Sequence, residues 1–592
     1  MIACAKILIS KGKAKQLCAS RIQKLSTLMN PIRENRSVRS KAIRWGACVA
    51  AALCAGHFPK RVAAAEPIAK PNIVYILADD MGYGDVSLVN PGDRIHTPYI
   101  NSIGRNGMVF TNAHATSALC TPSRYGLLTG RYPWRSAMKA GEASGLAPPL
   151  IEPGRMTIAS VLKANGYHTG FVGKWNLGLG WQYKAGEPPI TRRKPKFFSY
   201  IHPQQPYRFT YDYSVANATR VDYSKPILQG PLTDGFDYDF FFAGSADMFP
   251  FAYIKDDRVI GPVNKTYTIP RSIMGARYSS TGPAAAYYNP EHVLPRFTKE
   301  ACNFIIRHAH DSHPFFLYYA MPSPHTPIAV APKYQGKSPL PFAYLDYCIE
   351  TDAMVGKVLK TLKRQGISKD TVVIFTSDNG FAPYVDPTHY LERHGDYPSY
   401  IFRGFKSDIW EGGQRVPFFI DWPGITRPGS TNNSPICLAD FMATMAAYLH
   451  DKLPANAGVD SFNILPAFKG HKVKYPVITA SVDGSLAIID GSWKLEMCPG
   501  SGGRTLPNMV ARRAHLPPVQ LYHMSTWLGL TEQLNLEKQY PKIVHRLEAL
   551  LLRDIRDGRS TPGPVEPNDN PQVWHAIDWS KSFPAAATLP QK

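Results

Sequence analysis

Two distant apolar runs in this chain end in the same way. Asn72-Ile73-Val74-Tyr75-Ile76-Leu77-Ala78 runs into Asp79-Asp80, and Thr371-Val372-Val373-Ile374-Phe375-Thr376 runs into Ser377-Asp378-Asn379-Gly380. Both runs are rich in β-branched residues and read as buried strands. In an open α/β sheet, ligands bind just outside the carboxyl ends of the strands. Two strands that both end in carboxylates there can converge on one hard cation. The oxygen donors of Asp79, Asp80, Asp378 and Asn379 suit Ca²⁺ or Mg²⁺ and not a soft metal. Taken one at a time, the same residues are ordinary turn formers after strands.

The rest of the chain alternates strands with helices, the α/β signature. Helical patterns cover 97–107, 122–129, 157–165, 296–309, 342–365, 438–449 and 541–556; strand-like runs cover 108–112, 168–172 and 314–320. The expected fold class is therefore α/β, a large mixed sheet sandwiched by helices, with a smaller C-terminal α+β domain. The boundaries read as a leader over 1–65, a catalytic domain over 66–470, a smaller domain over 471–560 and a Pro-rich, poorly ordered tail over 561–592. Residues 181–295 are rich in Pro, Tyr and Phe with weak periodicity and read as a long insertion beside the mouth of a site. Its aromatics Trp181, Tyr207, Phe209 and Tyr211 could stack on sugar rings or simply pack. Ala487 to Leu495 looks like a hairpin around Asp490-Gly491. There are no internal repeats.

A thiol stands at the start of the helix expected over 122–129, in Cys120-Thr121-Pro122-Ser123-Arg124, continued by Leu127-Leu128-Thr129-Gly130-Arg131. A helix N-terminus offers backbone donors and a positive dipole end to an anion. Three cationic runs follow: Gly173-Lys174-Trp175-Asn176-Leu177-Gly178, Pro322-Ser323-Pro324-His325-Thr326-Pro327, and Gly404-Phe405-Lys406 leading to Trp410-Glu411-Gly412-Gly413-Gln414-Arg415. In order and approximate spacing, these runs resemble type I sulfatases of the alkaline-phosphatase superfamily over roughly residues 70–560. Leu521-Tyr522-His523, Glu532 and Asn535-Leu536 resemble that family's C-terminal segment.

The resemblance implies oxidation of Cys120 to formylglycine (3-oxoalanine), an aldehyde that hydrates to a geminal diol. It also implies one Ca²⁺ (Mg²⁺ being possible), held by Asp79, Asp80, Asp378, Asn379 and the residue at 120. Arg124 would hydrogen-bond the diol; Lys174 and Lys406 would grip sulfate oxygens; His325 would lie near the leaving-group oxygen. One diol oxygen would attack sulfur, the alcohol would leave with a proton from His325 or Lys406, and deprotonation of the second hydroxyl would expel sulfate. The family has His where this chain has Asn176, a position expected to contact substrate and diol. Asn can hydrogen-bond but cannot act as a base at neutral pH. Three readings stay open: a sulfatase that uses another base, a phosphonate or phosphate monoester hydrolase of the same superfamily, and a secreted glycan-binding protein with impaired turnover.

The formal charge of +22 misleads, because residues 1–65 hold thirteen Lys or Arg against Glu34 alone, leaving +10 for the rest. That balance favours anionic ligands such as a sulfated polysaccharide or oligosaccharide, and no basic-aromatic cluster points to nucleic acid. The leader ends in a short apolar run from Trp45 to Gly56 and the small-residue stretch Val62-Ala63-Ala64-Ala65, the pattern of a cleaved secretion signal. The run is too short to span a bilayer. The expectation is an exported protein, periplasmic or extracellular, that needs a formylglycine-generating or equivalent maturation enzyme. After cleavage Cys120, Cys302, Cys348, Cys437 and Cys498 remain, enough for two disulfides or none once Cys120 is converted. No closely spaced His/Cys set points to zinc.

Overall fold

The computed structural model describes residues 70–190, 213–276, 279–569 and 576–577. The leader, its cleavage site and Tyr207, Phe209 and Tyr211 lie outside them. Ten strands build the main sheet: β1 (Asn72–Ala78), β2 (Met108–Phe110), β3 (His168–Lys174), β4 (Tyr238–Phe242), β5 (Ile254–Lys255), β6 (Arg258–Val259), β7 (Phe315–Ala320), β8 (Thr371–Ser377), β9 (Phe418–Asp421) and β10 (Ser430–Asn432). Their spatial order is β10-β2-β9-β8-β1-β7-β3-β4-β5-β6. The central five, β8-β1-β7-β3-β4, are mutually parallel. Antiparallel pairings of β9 with β8 and of β5 with β4 make the sheet mixed.

Helices cover both faces, and alternation along the strands shows why. Phe171 packs on Tyr318, which meets Tyr75, which in turn meets Phe441. The preceding residue Gly170 points the other way, where a Cβ would strike the ring of Phe304 at 2.5 Å. Successive side chains thus enter opposite cores. One face carries α1 (Pro98–Asn106), and the helix of the expected thiol, α2 (Cys120–Thr129), joins α3 (Ile158–Ala164) on the other. α4 (Val293–His308) and α5 (Ala343–Arg364) pack beside α1; α6 (Phe441–Tyr448) packs on α2 and α3.

A second, four-stranded antiparallel sheet follows: β11 (Val477–Ala480), β12 (Leu486–Asp490), β13 (Trp493–Glu496) and β14 (Gln520–His523). Asp490 pairs with Trp493 across the expected hairpin, and Gly491 takes φ 61°, which a two-residue turn requires. The last helix, α7 (Pro541–Arg556), lays Val544, Leu547, Leu551 and Ile555 against β12 and β13.

Three expectations change. The region 181–295 is not wholly an insertion, because β4 continues the parallel core of the sheet. Its Trp181 is buried and donates its indole N–H to the Gly145 carbonyl at 3.0 Å, so it packs. The tail is held as far as residue 569: the Thr561 hydroxyl donates to the Val459 carbonyl at 2.8 Å, and Asp569 pairs with Arg131 at 2.6 Å. The helix read over 438–449 splits into a short 3-10 turn, Leu438–Asp440, and α6. The five cysteines are free thiols, and among the described residues no helix is long and apolar enough to cross a membrane.

Candidate active site

Parallel register brings the distant motifs together. Ala78 is level with Ser377 across β1 and β8, Leu77 with Ala320 across β1 and β7, and Ala320 with Gly173 across β7 and β3. The residues that follow these positions therefore leave the sheet at one edge. Asp79 and Asp80 follow β1, Asp378 and Asn379 follow β8, Lys174 ends β3, and His325 sits in the loop after β7. Gly173 is required where it stands: φ is 123°, and a Cβ would lie 1.8 Å from the Ala320 carbonyl oxygen.

Cys120 is the first residue of α2, two positions before the expected start at Pro122. Arg124, one turn on, shares its face. The Cys120 Sγ lies 3.2 Å from Lys406 Nζ, 3.5 Å from Asp79 Oδ1 and 3.7 Å from Asp80 Oδ1. Arg124 donates from Nε and Nη2 to Asp378 Oδ2 at 3.0 and 2.7 Å, and from Nη1 to the Lys174 carbonyl at 2.9 Å. Lys174 Nζ reaches both oxygens of Asp79 at 2.9 Å, and Lys406 Nζ pairs with Asp80. His325 Nε2 stands 3.5 Å from Asp80 Oδ2. Its Nδ1 faces the Ser245 hydroxyl and the Thr326 carbonyl, and since a carbonyl only accepts, Nδ1 carries the hydrogen. All these side chains are buried.

Charges in so dry a place shift one another. Burial pushes the Asp79 carboxyl up, but Lys174, His325, Arg124 and Lys406 more than reverse this and hold it well below the usual range. Asp80 is lowered in the same way, with Lys406 its main counter-charge. Burial pushes Asp378 up to about 6 in spite of Arg124. Burial also lowers the His325 imidazole, against the pull of Asp80 and Asp79. Lys406 loses some charge stability to burial, yet Asp80 keeps it well above the ordinary lysine value. Burial, then Asp378, pushes the Cys120 thiol far up.

Three cations (Arg124, Lys174, Lys406) thus face three carboxylates (Asp79, Asp80, Asp378). The residues present fit a hard divalent ion. Asp79, Asp80, Cys120 and His325 each bring a ligand atom within 4.8 Å of the others. Asn379 donates to Asp80 Oδ1 at 2.7 Å while its own Oδ1 is buried without a partner, an acceptor that a cation would satisfy. A divalent ion would also turn a balanced pocket net positive, as an anionic ester requires.

Asn176 is brought beside the nucleophile's helix, where its hydrogen bonds go to Thr121 and Ala143. Its backbone carbonyl accepts from the Thr121 hydroxyl at 2.9 Å, its Nδ2 donates to the Ala143 carbonyl at 2.9 Å, and its Oδ1 is buried and unpartnered. Sequence reasoning missed Tyr384. Its hydroxyl donates to Asp80 Oδ2 at 3.1 Å and lies 3.4 Å from His325 Nε2. The available signal was position alone, five residues past Asn379 in the same post-strand loop. Glu532, matched to the C-terminal segment, lies away from the pocket. There it joins Glu411 and Glu496 around the buried Lys494 at 2.6, 2.9 and 3.1 Å.

Comparison with known proteins agrees with this geometry. The family profile described as Sulfatase matches residues 71–451. An N-acetylgalactosamine-6-O-sulfatase of Bacteroides thetaiotaomicron is 31% identical over 521 residues, 81% of this chain and 92% of the relative. The human N-acetylgalactosamine-6-sulfatase is 26% identical over 86% of this chain and 90% of its own length. Among solved structures, one described under the metabolism of multiple glycosaminoglycans by Bacteroides thetaiotaomicron superposes with a TM-score of 0.68 at 29% identity, covering 82% of this chain and 99% of that one.

Proposed function

The chain belongs to the sulfatase family and is a sulfuric ester hydrolase; from that premise we propose that it removes 6-O-sulfate from N-acetylgalactosamine units of a sulfated glycan outside the cytoplasm, using a formylglycine made from Cys120 by a maturation enzyme and a Ca²⁺ ion. The observation that carries this reading is the position of Cys120 Sγ, at the N-terminus of α2, between Lys406 and the Asp79–Asp80 pair. The substrate class rests on the bacterial and human relatives, whose names specify that ester and most of whose length this chain spans. Export rests on the basic leader and its small-residue cleavage pattern.

The state of the thiol supports conversion of Cys120. Burial pushes the thiol of an unmodified Cys120 up, which disfavours the thiolate that a cysteine nucleophile needs. A hydrated aldehyde there supplies two oxygens instead, one to receive the sulfuryl group and one whose deprotonation expels sulfate. The divalent ion supplies charge that acidifies that hydrate and draws the ester oxygens. The chain's own residues do the rest. Lys174 and Lys406 each spend donors on Asp79 and Asp80 and keep others for sulfate oxygens, fixing charge where it develops in the transition state. The Arg124 fork holds Asp378 in place. His325, with Nδ1 tied to Thr326, turns Nε2 toward Tyr384 and Asp80.

The test is free sulfate released from 6-sulfated N-acetylgalactosamine oligosaccharides by the mature, Ca²⁺-loaded protein, with formylglycine at 120 verified by peptide mass. Release is expected, and Cys120→Ala should abolish it while leaving the melting curve unchanged. Activity retained in Cys120→Ala would sink the proposal. Release only from a different sulfated glycan would move the substrate and leave the chemistry standing.

A further inference from the structure

The strand that delivers Lys174 to the active site begins with His168. At about 3.3 Å per residue the two ends lie roughly 20 Å apart, at opposite edges of the sheet. At the far edge His168 meets His308, the last residue of α4, together with Asp311 and His313 in the loop that leads into β7, a closely spaced His run that sequence reasoning did not count as a metal pattern. His308 Nδ1 is 2.7 Å from Asp311 Oδ2, and His168 Nε2 is 3.7 Å from the same oxygen. One ligand atom from each of His168, His308 and Asp311 lies within 4.8 Å of the other two.

We propose that His168, His308 and Asp311 form a second metal site, for a borderline transition ion of the Zn²⁺ class, with His313 or water as the fourth ligand. The donor set separates it from the active site: imidazole with one carboxylate suits Zn²⁺, whereas the oxygen-rich cluster at Asp79, Asp80, Asp378 and Asn379 suits a hard ion. The spacing fits as well. With Zn–N near 2.0–2.1 Å and the ring centre about 1 Å further out, two imidazoles on one tetrahedral ion have centroids about 5 Å apart. The His168 and His308 rings are 4.8 Å apart, and the His168 and His313 rings 5.6 Å apart. His168 and Asp311 are 41% and 39% exposed, so an ion can enter from solvent without opening the core. Once bound it would tie the end of α4 to the start of β3 and to the loop before β7, two segments already joined by the His168 N–H to the Pro314 carbonyl at 2.9 Å. This site is independent of the sulfate-ester reading and serves the scaffold, not the chemistry.

The experiment titrates ZnCl₂ into the mature, untagged, Ca²⁺-loaded protein by calorimetry, and repeats it with the double variant H168Q/H308Q. The wild type should bind one zinc equivalent that the double variant lacks or binds at least about tenfold more weakly. Zinc should raise the melting temperature of the wild type alone, and sulfate release in zinc-free buffer should be the same for both proteins. Matching isotherms for the two proteins, or no zinc uptake by the wild type, would overturn the proposal. Asp311→Asn, on the half-exposed loop, gives the same reading should the double variant fold poorly.

Discussion

Removing one oxygen from Tyr384 asks whether the proton-handling side of the pocket is built as its geometry indicates. The hydroxyl donates to Asp80 Oδ2 at 3.1 Å and lies 3.4 Å from His325 Nε2. The ring sits below Lys406 and Arg504, whose charged groups are 5.9 and 5.2 Å from its centre. Tyr384→Phe keeps the ring and both of those contacts and deletes only the donor. A hydrogen bond to a charged group contributes about 1.5–3 kcal/mol. At about 1.4 kcal/mol per factor of ten, its full loss in the transition state would lower kcat/KM by roughly ten- to hundredfold. The hydroxyl touches Asp80 and His325 rather than the lysines assigned to the sulfate oxygens, so the loss should fall on kcat with KM nearly unchanged. Steady-state sulfate release with a parallel thermal melt measures this. A kcat/KM within about twofold of wild type, in a protein that melts normally, would refute the assignment, and a change confined to KM would make Tyr384 a substrate contact instead.

Two further substitutions test the frame around the site. Lys494 is fully buried among Glu411, Glu496 and Glu532 and joins the small sheet to the segment that follows Lys406. Lys494→Met removes the cation that Glu496 and Glu532 share, while Glu411 keeps Arg415, and should cost about 3–5 kcal/mol in chemical denaturation; an unchanged midpoint would refute the network's role. Asn176→Ala loses the bond to Ala143 and puts alanine at φ 57°, which together should cost about 2 kcal/mol. Denaturation that matches wild type would show that Asn176 has no part in holding the α2 entrance.

Much of the site is legible in the sequence because its parts are local. The β1 and β8 runs are apolar to their last residues and then turn acidic, and parallel pairing does the rest: once Ala78 is level with Ser377, Asp79 and Asp378 must meet. Cys120 and Arg124 are one helical turn apart, so their shared face follows from spacing alone. What is hard to read depends on partners distant in sequence. β4 is Tyr-Asp-Phe-Phe-Phe, buried at every position, so it lacks the alternation that marks a half-buried strand. Its place in the sheet is fixed by β3, not by its own pattern. Asp569 looks like part of a solvated tail until Arg131, at the far end of the nucleophile's helix, is placed against it. Lys494, Glu496 and Glu532 likewise look like surface charges until the fold removes water from all of them together.

Asn176 shows how the two kinds of information combine. By resemblance it marks the loss of a proton acceptor. In the fold it is also a left-handed corner at φ 57°, a conformation in which Asn is several-fold enriched among non-glycine residues. Its amide N–H bonds the Ala143 carbonyl, and its backbone carbonyl receives the Thr121 hydroxyl next to the nucleophile. The side chain therefore holds the wall of the pocket rather than moving a proton. On the proposed formylglycine mechanism, the base for sulfate expulsion is then a group other than Asn176. Burial raises the Asp378 carboxyl to about 6 even with Arg124 beside it, while lysines hold Asp79 and Asp80 below the usual range, so the carboxylates that would share one divalent ion start from unequal proton affinities.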